Sequence, residues 1–256
     1  TEDEALGTLE VLAFFDADAT DAMFADVMEP IKQELSDKYK TVRIYKLPVV
    51  GNKYCLFTDP SDGKEDPHAS IVMDWATGEE MAESHGKIPA DQCAEIHDAL
   101  ARFYNNAFND FERNANPGGK FGETIKNLET PNRHYQDKKK EGWWTGEPQR
   151  KVMIWGLEEA IRHLSIRPHS RESINEFKQF IQPAGEKPQA LADGHDDYIM
   201  AWAGVWQIRK AMPVGMARAS SSDMGVLSKG FIFLKSLAIL PETLSPLSTI
   251  FFIRLS

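Results

Sequence analysis

The sequence predicts an α/β fold, a mixed sheet flanked by helices, on three observations. Residues 54–58 form a continuous apolar run, the pattern of a central strand buried on both faces. Runs at 69–75 and 80–85 follow, separated by turn residues, which reads as an antiparallel meander. Beyond Pro89 apolar residues recur at helical spacing, interrupted by a strand-like run at 107–111.

In chain order, Ala22, Met23, Phe24, Val27, Met28, Ile31 and Leu35 place a helix over 17–39. A strand at 41–45 precedes a break at Pro48 and Gly51. The Asp-, Pro- and Gly-rich stretch 59–67 is a loop, and Thr77-Gly78-Glu79 a turn. Cys93, Ile96, Leu100, Phe103 and Tyr104 define one face of a helix whose start Asp91 caps or charges. The run 107–111 is expected as a parallel strand delivering Glu112. Residues 114–122 read as loop and 123–129 as a short helix. Helices are expected at 151–164, at 173–181 and from about 196 to 210, with a mobile loop over 182–194. The order β-β-β-α-β-α-α-α matches an RNase H-like layout.

Of 256 residues, 42% are hydrophobic and 27% charged, which is ordinary for a globular chain with a sizeable core. Cys55 and Cys93 both fall in core elements and read as buried free thiols, suited to a reducing compartment. No signal peptide is visible. The net charge of −10 disfavours tight, unassisted nucleic-acid binding. The charge is unevenly spread, however, so local binding stays open. The acids crowd before residue 110, whereas basic groups cluster later, at Arg133, His134, Lys138-Lys139-Lys140, Arg150-Lys151, Arg162-His163 and Arg167.

Three acidic stations stand where apolar elements begin or end: Asp59, Glu112 and the pair Asp196-Asp197. Element ends can converge, and several carboxylates in one place repel unless cations neutralise them. Oxygen-rich clusters suit Mg²⁺, and two ions about 3.5–4 Å apart clamp a phosphodiester for in-line hydrolysis. The residues thus point to a metal-dependent nuclease. Each station also has a plainer reading. Asp59-Pro60-Ser61-Asp62-Gly63 alone is an ordinary turn, Glu112-Arg113 a strand-end ion pair, and Asp196-Asp197 a helix cap. His195 is either a helix-start residue or a proton shuttle. Lys138-Lys139-Lys140 is a solvated loop or a DNA-backbone contact. Trp143-Trp144 are core anchors or stacking partners for bases.

Several segments, in order, resemble the nuclease domain of phage terminase large subunits. They run from Val42-Arg43-Ile44-Tyr45 through Gly51-Asn52-Lys53-Tyr54 to Asp59-Pro60-Ser61-Asp62-Gly63, then Asp74-Trp75-Ala76-Thr77-Gly78-Glu79 and 101–107. Glu112-Arg113-Asn114 resembles that family's second acidic motif, and Gly142-Trp143-Trp144-Thr145, then Arg150, its Gly-Trp-x-Thr segment. Gly194-His195-Asp196-Asp197-Tyr198-Ile199-Met200-Ala201 is similar to its His-Asp-Asp ending.

The resemblance spans 41–210. It implies an RNase H-like endonuclease that cuts concatemeric double-stranded viral DNA during packaging. Asp59, Glu112 and Asp197 would be the catalytic metal ligands, for two Mg²⁺ or Mn²⁺ ions. Asp197 is favoured over Asp196 because related junction resolvases place their acid directly before the small and apolar residues of the final helix. Asp196 would cap that helix or hold a water, and Asp66 looks like an accessory acid. Arg113, Lys138, Lys139, Lys140, Arg150 and Lys151 are the candidate DNA contacts. Implied partners are a terminase ATPase domain, the small terminase subunit and the portal, in the host cytoplasm and with no membrane.

The pattern departs from that family in two places. No Gly-x-x-x-x-Gly-Lys-Ser/Thr phosphate loop occurs, so translocation is not credited to this chain, and residues 1–40 read as the remnant joining a motor to the nuclease. Residues 211–256 carry no resemblance. Lys235, Pro241, Glu242 and Pro246 interrupt their apolar runs, which disfavours a transmembrane helix. The rival readings are another RNase H-like nuclease, such as a junction resolvase, and a non-catalytic packaging or docking module.

Overall fold

A computed structural model describes residues 13–31, 39–136, 140–192 and 194–213. Among these, five strands form one sheet: β1 (Val42–Ile44), β2 (Tyr54–Asp59), β3 (His68–Asp74), β4 (Glu80–Gly86) and β5 (Phe108–Phe111), in the order β1-β4-β3-β2-β5. β2, β3 and β4 are the expected antiparallel meander, and β5 joins β2 in parallel. The β3–β4 turn rests on Asp74, whose Oδ1 accepts from the Ala76 and Thr77 amides at 2.9 Å. Gly78 closes it at φ +76°, where a Cβ would stand 2.1 Å from the Ser165 carbonyl oxygen.

Helices cover both faces, which is why β2 and β3 read as near-continuous apolar runs. α2 (Ala90–Phe103) covers one face with Ile96, Leu100 and Ala101 against Leu56 and Val72. The other face, lined by Cys55, Phe57, Ala69, Ile71 and Met73, packs on α4 (Glu147–Arg162), α5 (Arg171–Lys178) and α6 (Asp197–Ala211). α6 lies directly over β2, close enough that a Cβ on Gly204 would come within 2.2 Å of the Phe57 ring. Cys55 and Cys93 are buried free thiols, as expected. Among the described residues, no helix is long and apolar enough to cross a membrane.

Several expectations need revision. The helix over 17–39 ends early: α1 (Ala17–Met23) passes into a 3₁₀ turn at Phe24–Asp26, and residues 32–38 lie outside the described residues. Pro30 keeps Glu29 out of helical conformation, and the chain instead donates from Met28 to the His169 carbonyl and from Ile31 to the Ile44 carbonyl. Residues 115–127, expected as loop and only later helix, form α3 (Ala115–Asn127) throughout. Pro117 is tolerated in its first turn. Gly118 and Gly122 let it lie on the end of β5, where added Cβ atoms would meet the Glu112 carbonyl at 2.6 Å and the Phe111 ring at 2.9 Å.

α4 begins at Glu147 rather than 151, with Pro148 in its first turn. The helix expected to reach 181 stops at Lys178. Phe180–Ile181 (β6) then pairs antiparallel with Gln189–Ala190 (β7), so part of the expected loop 182–194 is a short hairpin. Residues 13–31, read from sequence as a joining segment, contribute Phe15, Ala19 and Met23 to the main core. The tail beyond 213 lies outside the described residues.

Candidate active site

Asp59 is the last residue of β2, and its side chain shares a face with Phe57 and Cys55. β5 runs beside β2 in the register Thr58↔Phe111, and the Glu112 amide donates to the Thr58 carbonyl at 2.9 Å. Glu112 therefore sits one step beyond the last pair, next to Asp59. Burial, and then the neighbouring carboxylates of Glu112, Asp197 and Asp196, push the Asp59 carboxyl well above the usual carboxylate range. After burial, Glu112 is the largest of these influences on Asp59. The first two stations meet through strand register, and the third arrives on α6.

Asp197 opens α6 and is pushed up to about 7 by burial and by Asp196 and Asp66. Its Oδ2 is buried without a hydrogen-bond partner; His195 Nδ1 stands 3.7 Å from it and 3.8 Å from Asp66 Oδ1. Asp196 is drawn the other way: Arg150 Nη2 reaches its Oδ2 at 2.5 Å, while Arg150 Nη1 points to Met200 Sδ. Asp196 makes no side-chain cap bond to α6. That work falls to Glu176 on α5, whose Oε1 accepts from the Ile199 amide at 2.9 Å. Burial and the charges of Asp197 and Asp196 push Glu176 up to about 8.

The donor set fits a divalent cation. It is made of hard carboxylate oxygens, one of them an unpartnered buried oxygen, in a cluster that holds protons it would shed to a cation. Among the described residues no three such groups are closed to ion-ligand spacing. The carboxylates converge without yet surrounding a point.

The structure brings Asp59, Glu112, Asp196, Asp197 and, at the rim, exposed Asp66 to one end of the sheet. Of the candidate cationic contacts, Arg150 is committed to Asp196, and Lys151 is exposed one residue away. The Arg113 guanidinium stands over the Trp144 ring at 5.9 Å, and Lys140 is exposed beside them. Lys138 and Lys139 lie outside the described residues.

Three supporting groups left no mark in the sequence. Glu176 resembles any other acid on an amphipathic helix. His85 lies in the cross-sheet row Asp59↔Ala69↔His85 and stacks on Tyr198 at 4.4 Å, with its Nε2 buried and unpartnered. Beneath Asp59, on the opposite face of the sheet, a buried chain links Ser70, Thr58, His97 and Asn109 at 2.7, 2.7 and 3.1 Å. The Asn109 amide donates to the Ala107 and Pro131 carbonyls, so its oxygen must accept from His97 Nε2–H. That leaves His97 Nδ1 to accept from Thr58. Burial holds this imidazole neutral, with its pKa lowered to about 4.

The sequence matches no protein-family model, and no curated protein matches it. Solved structures do. The large terminase nuclease of thermophilic phage G20c with bound magnesium superposes with a TM-score of 0.59 at 15% identity, over 74% of this chain and 96% of that one. The same nuclease with bound cobalt gives 0.60 at 15% identity, again over 74% and 96%. The large terminase nuclease domain of Thermus phage P74-26 gives 0.56 at 16%, over 73% and 93%. The chain therefore has the RNase H-like fold of the phage large terminase nuclease domain.

Proposed function

We propose that the chain is a metal-dependent DNA endonuclease, the nuclease domain of a viral genome-packaging terminase acting on double-stranded concatemers. One observation carries the reading: Glu112 and the Asp196-Asp197 pair, far from Asp59 in sequence, stand close enough at one sheet end to raise its carboxyl. The magnesium and cobalt bound by the G20c nuclease support it. Asp59, Glu112 and Asp197 would hold the ions, two Mg²⁺ or Mn²⁺, with Asp196 and Asp66 as outer acids. Bound there, the cations would activate water and neutralise charge on the phosphate.

The chain's own residues prepare that site. Arg150 holds Asp196 aside and leaves the Asp197 carboxylate unencumbered. Glu176 fixes the turn that carries Asp197. His195, between Asp66 and Asp197, is positioned to exchange a proton with solvent. Arg113, Lys138, Lys139, Lys140 and Lys151 would bind the DNA backbone. The nuclease unit would comprise 41–210 together with 13–31, which pack into its core, and would work with an ATPase motor, small subunit and portal in the host cytoplasm.

The test is plasmid nicking in Mg²⁺ or Mn²⁺. Asp59→Asn should abolish it without unfolding the protein, and undiminished nicking by that variant would refute the assignment. Preference for branched over linear duplex would instead favour a junction resolvase. Failure of the native chain to bind divalent ions would favour a docking module.

A further inference from the structure

We propose that the groove between Arg113, Lys140 and Trp144 is a nucleotide subsite beside the acidic cluster. There a base exposed at a DNA end or opened step stacks on the Trp144 indole, and its phosphate meets Arg113 and Lys140. The proposal rests on the DNA-nuclease reading above and deepens it. The groove is open, holds about 400 Å³ and, among the described residues, is lined by these three.

Trp144 is held by its backbone and displayed by its side chain. The segment 142–145 runs along the end of β5: the Trp143 amide donates to Phe111, and the Arg113 amide donates to Trp143, at 2.7 and 2.9 Å. Glu112 and Trp143 are bridged residues, so the groove begins one residue from the acidic cluster. Gly142, at φ +80°, permits the approach; a Cβ there would stand 2.7 Å from Arg113 Cβ. Side chains complete the clamp. Gln136 Oε1 accepts from the Trp144 amide at 2.7 Å, and Asn114 pairs with both backbone groups of Thr145 at 2.8 and 3.0 Å.

Within this fixed ribbon Trp143 turns inward to stack on His134, whereas Trp144 stays 50% exposed. The fixed backbone thus presents an indole face to the groove. Arg113 sits over the ring, and among the described residues its Nη1 is buried without a hydrogen-bond partner. Aromatic faces accept any base by stacking, and neighbouring cations meet the phosphate. A paired, stacked base offers no free face, so this subsite selects nucleotides that have left the stack. Cutting creates two such ends beside Glu112.

The experiment uses the full chain carrying Asp59→Asn, so that DNA is not consumed, and duplexes with 2-aminopurine at the terminus or at an internal paired position. Terminal 2-aminopurine fluorescence should be quenched on binding, and internal 2-aminopurine should not. Trp144→Ala should abolish the quenching and weaken binding of the ended duplex roughly tenfold, and Trp144→Phe should restore most of both. Trp144→Leu, which keeps apolar bulk without an aromatic face, should behave as Trp144→Ala and serves if the alanine variant does not fold. Equal quenching and affinity with and without the indole would overturn the subsite, while divalent-dependent nicking by the chain with Asp59 intact would leave the nuclease reading standing. Absence of both nicking and DNA binding in the native chain would overturn both.

Discussion

Glu176 Oε1 accepts from the Ile199 amide at 2.9 Å, so the helix that delivers Asp197 is capped by a carboxyl from another helix. Helix starts leave unpaired amides, and the residue at the cap position normally serves them. Here Asp196 holds that position but is paired with Arg150. Glu176→Ala should therefore lower stability by about 1–2 kcal/mol in chemical denaturation, as loss of a cap does. Glu176→Gln keeps an acceptor and should recover most of that loss. If both variants unfold like the native chain, the cap has no energetic role.

The acidic cluster should make the metal-free protein weaker as pH rises above neutrality. Asp197 and Glu176 have folded pKa values raised to about 7 and about 8, against ordinary values of 3.8 and 4.5. A raised acid stabilises the fold fully below its unfolded pKa and loses that contribution as pH climbs through the folded one. His68, His85 and His97, all lowered to about 4, act oppositely, losing stability as pH falls from 6.5 towards 4. The window free of them is pH 6.5 to 8, where the two acids together cost on the order of 2 kcal/mol. Melts in chelator should show that decline, and Mn²⁺ should reverse it. A flat profile in chelator would show that the carboxylates are not crowded in solution.

The three stations were legible because each closes or opens an apolar run, and run ends mark sheet edges. Their convergence was legible only through the order of elements; the register Thr58↔Phe111 that sets Glu112 beside Asp59 is a tertiary fact. Local composition misled where packing overrode propensity. Asn114, Pro117, Gly118 and Gly119 read as loop, yet α3 needs its Gly118 to lie against Glu112. Glu176, His85 and Asn109 left no signal, because a buried polar partner is defined by what faces it. The cationic side was half legible: Arg113 and Lys140 line the groove, whereas Arg150 serves an internal ion pair.

Asn109 anchors the polar chain beneath Asp59, and its loss should be felt in stability. Asn109→Ala strands His97 Nε2–H and the Ala107 and Pro131 carbonyls in a buried place. An unsatisfied buried group costs about 1–3 kcal/mol, and several cannot all reach water here. A loss of at least about 2 kcal/mol, the middle of that range, is expected in urea denaturation. Hydrogen exchange should quicken at β2 and β5 before β1. Unaltered stability would mean that the chain is bypassed by solvent.

Gly204→Ala tests whether the seating of α6 on β2 sets activity. The added methyl would overlap the Phe57 ring, two residues from Asp59 on the same face of β2. Neither side can yield cheaply, since Phe57 and Gly204 both lie in the buried interface. Overpacking of this kind costs about 1–3 kcal/mol, which a domain of this size can survive. The geometric effect should exceed the energetic one. α6 must lift or slide, carrying Asp197 away from Asp59 and Glu112, and misplacement by about 1 Å can lower rates about a hundredfold. Nicking should thus fall at least roughly tenfold, within that bound, while the far-ultraviolet circular dichroism stays native. Phe57→Leu in the same chain opens room for the methyl and should return part of the activity, although alone it removes core contact. Recovery by the second substitution separates displaced ligands from general weakening, because a merely destabilised protein would be made worse by losing the ring.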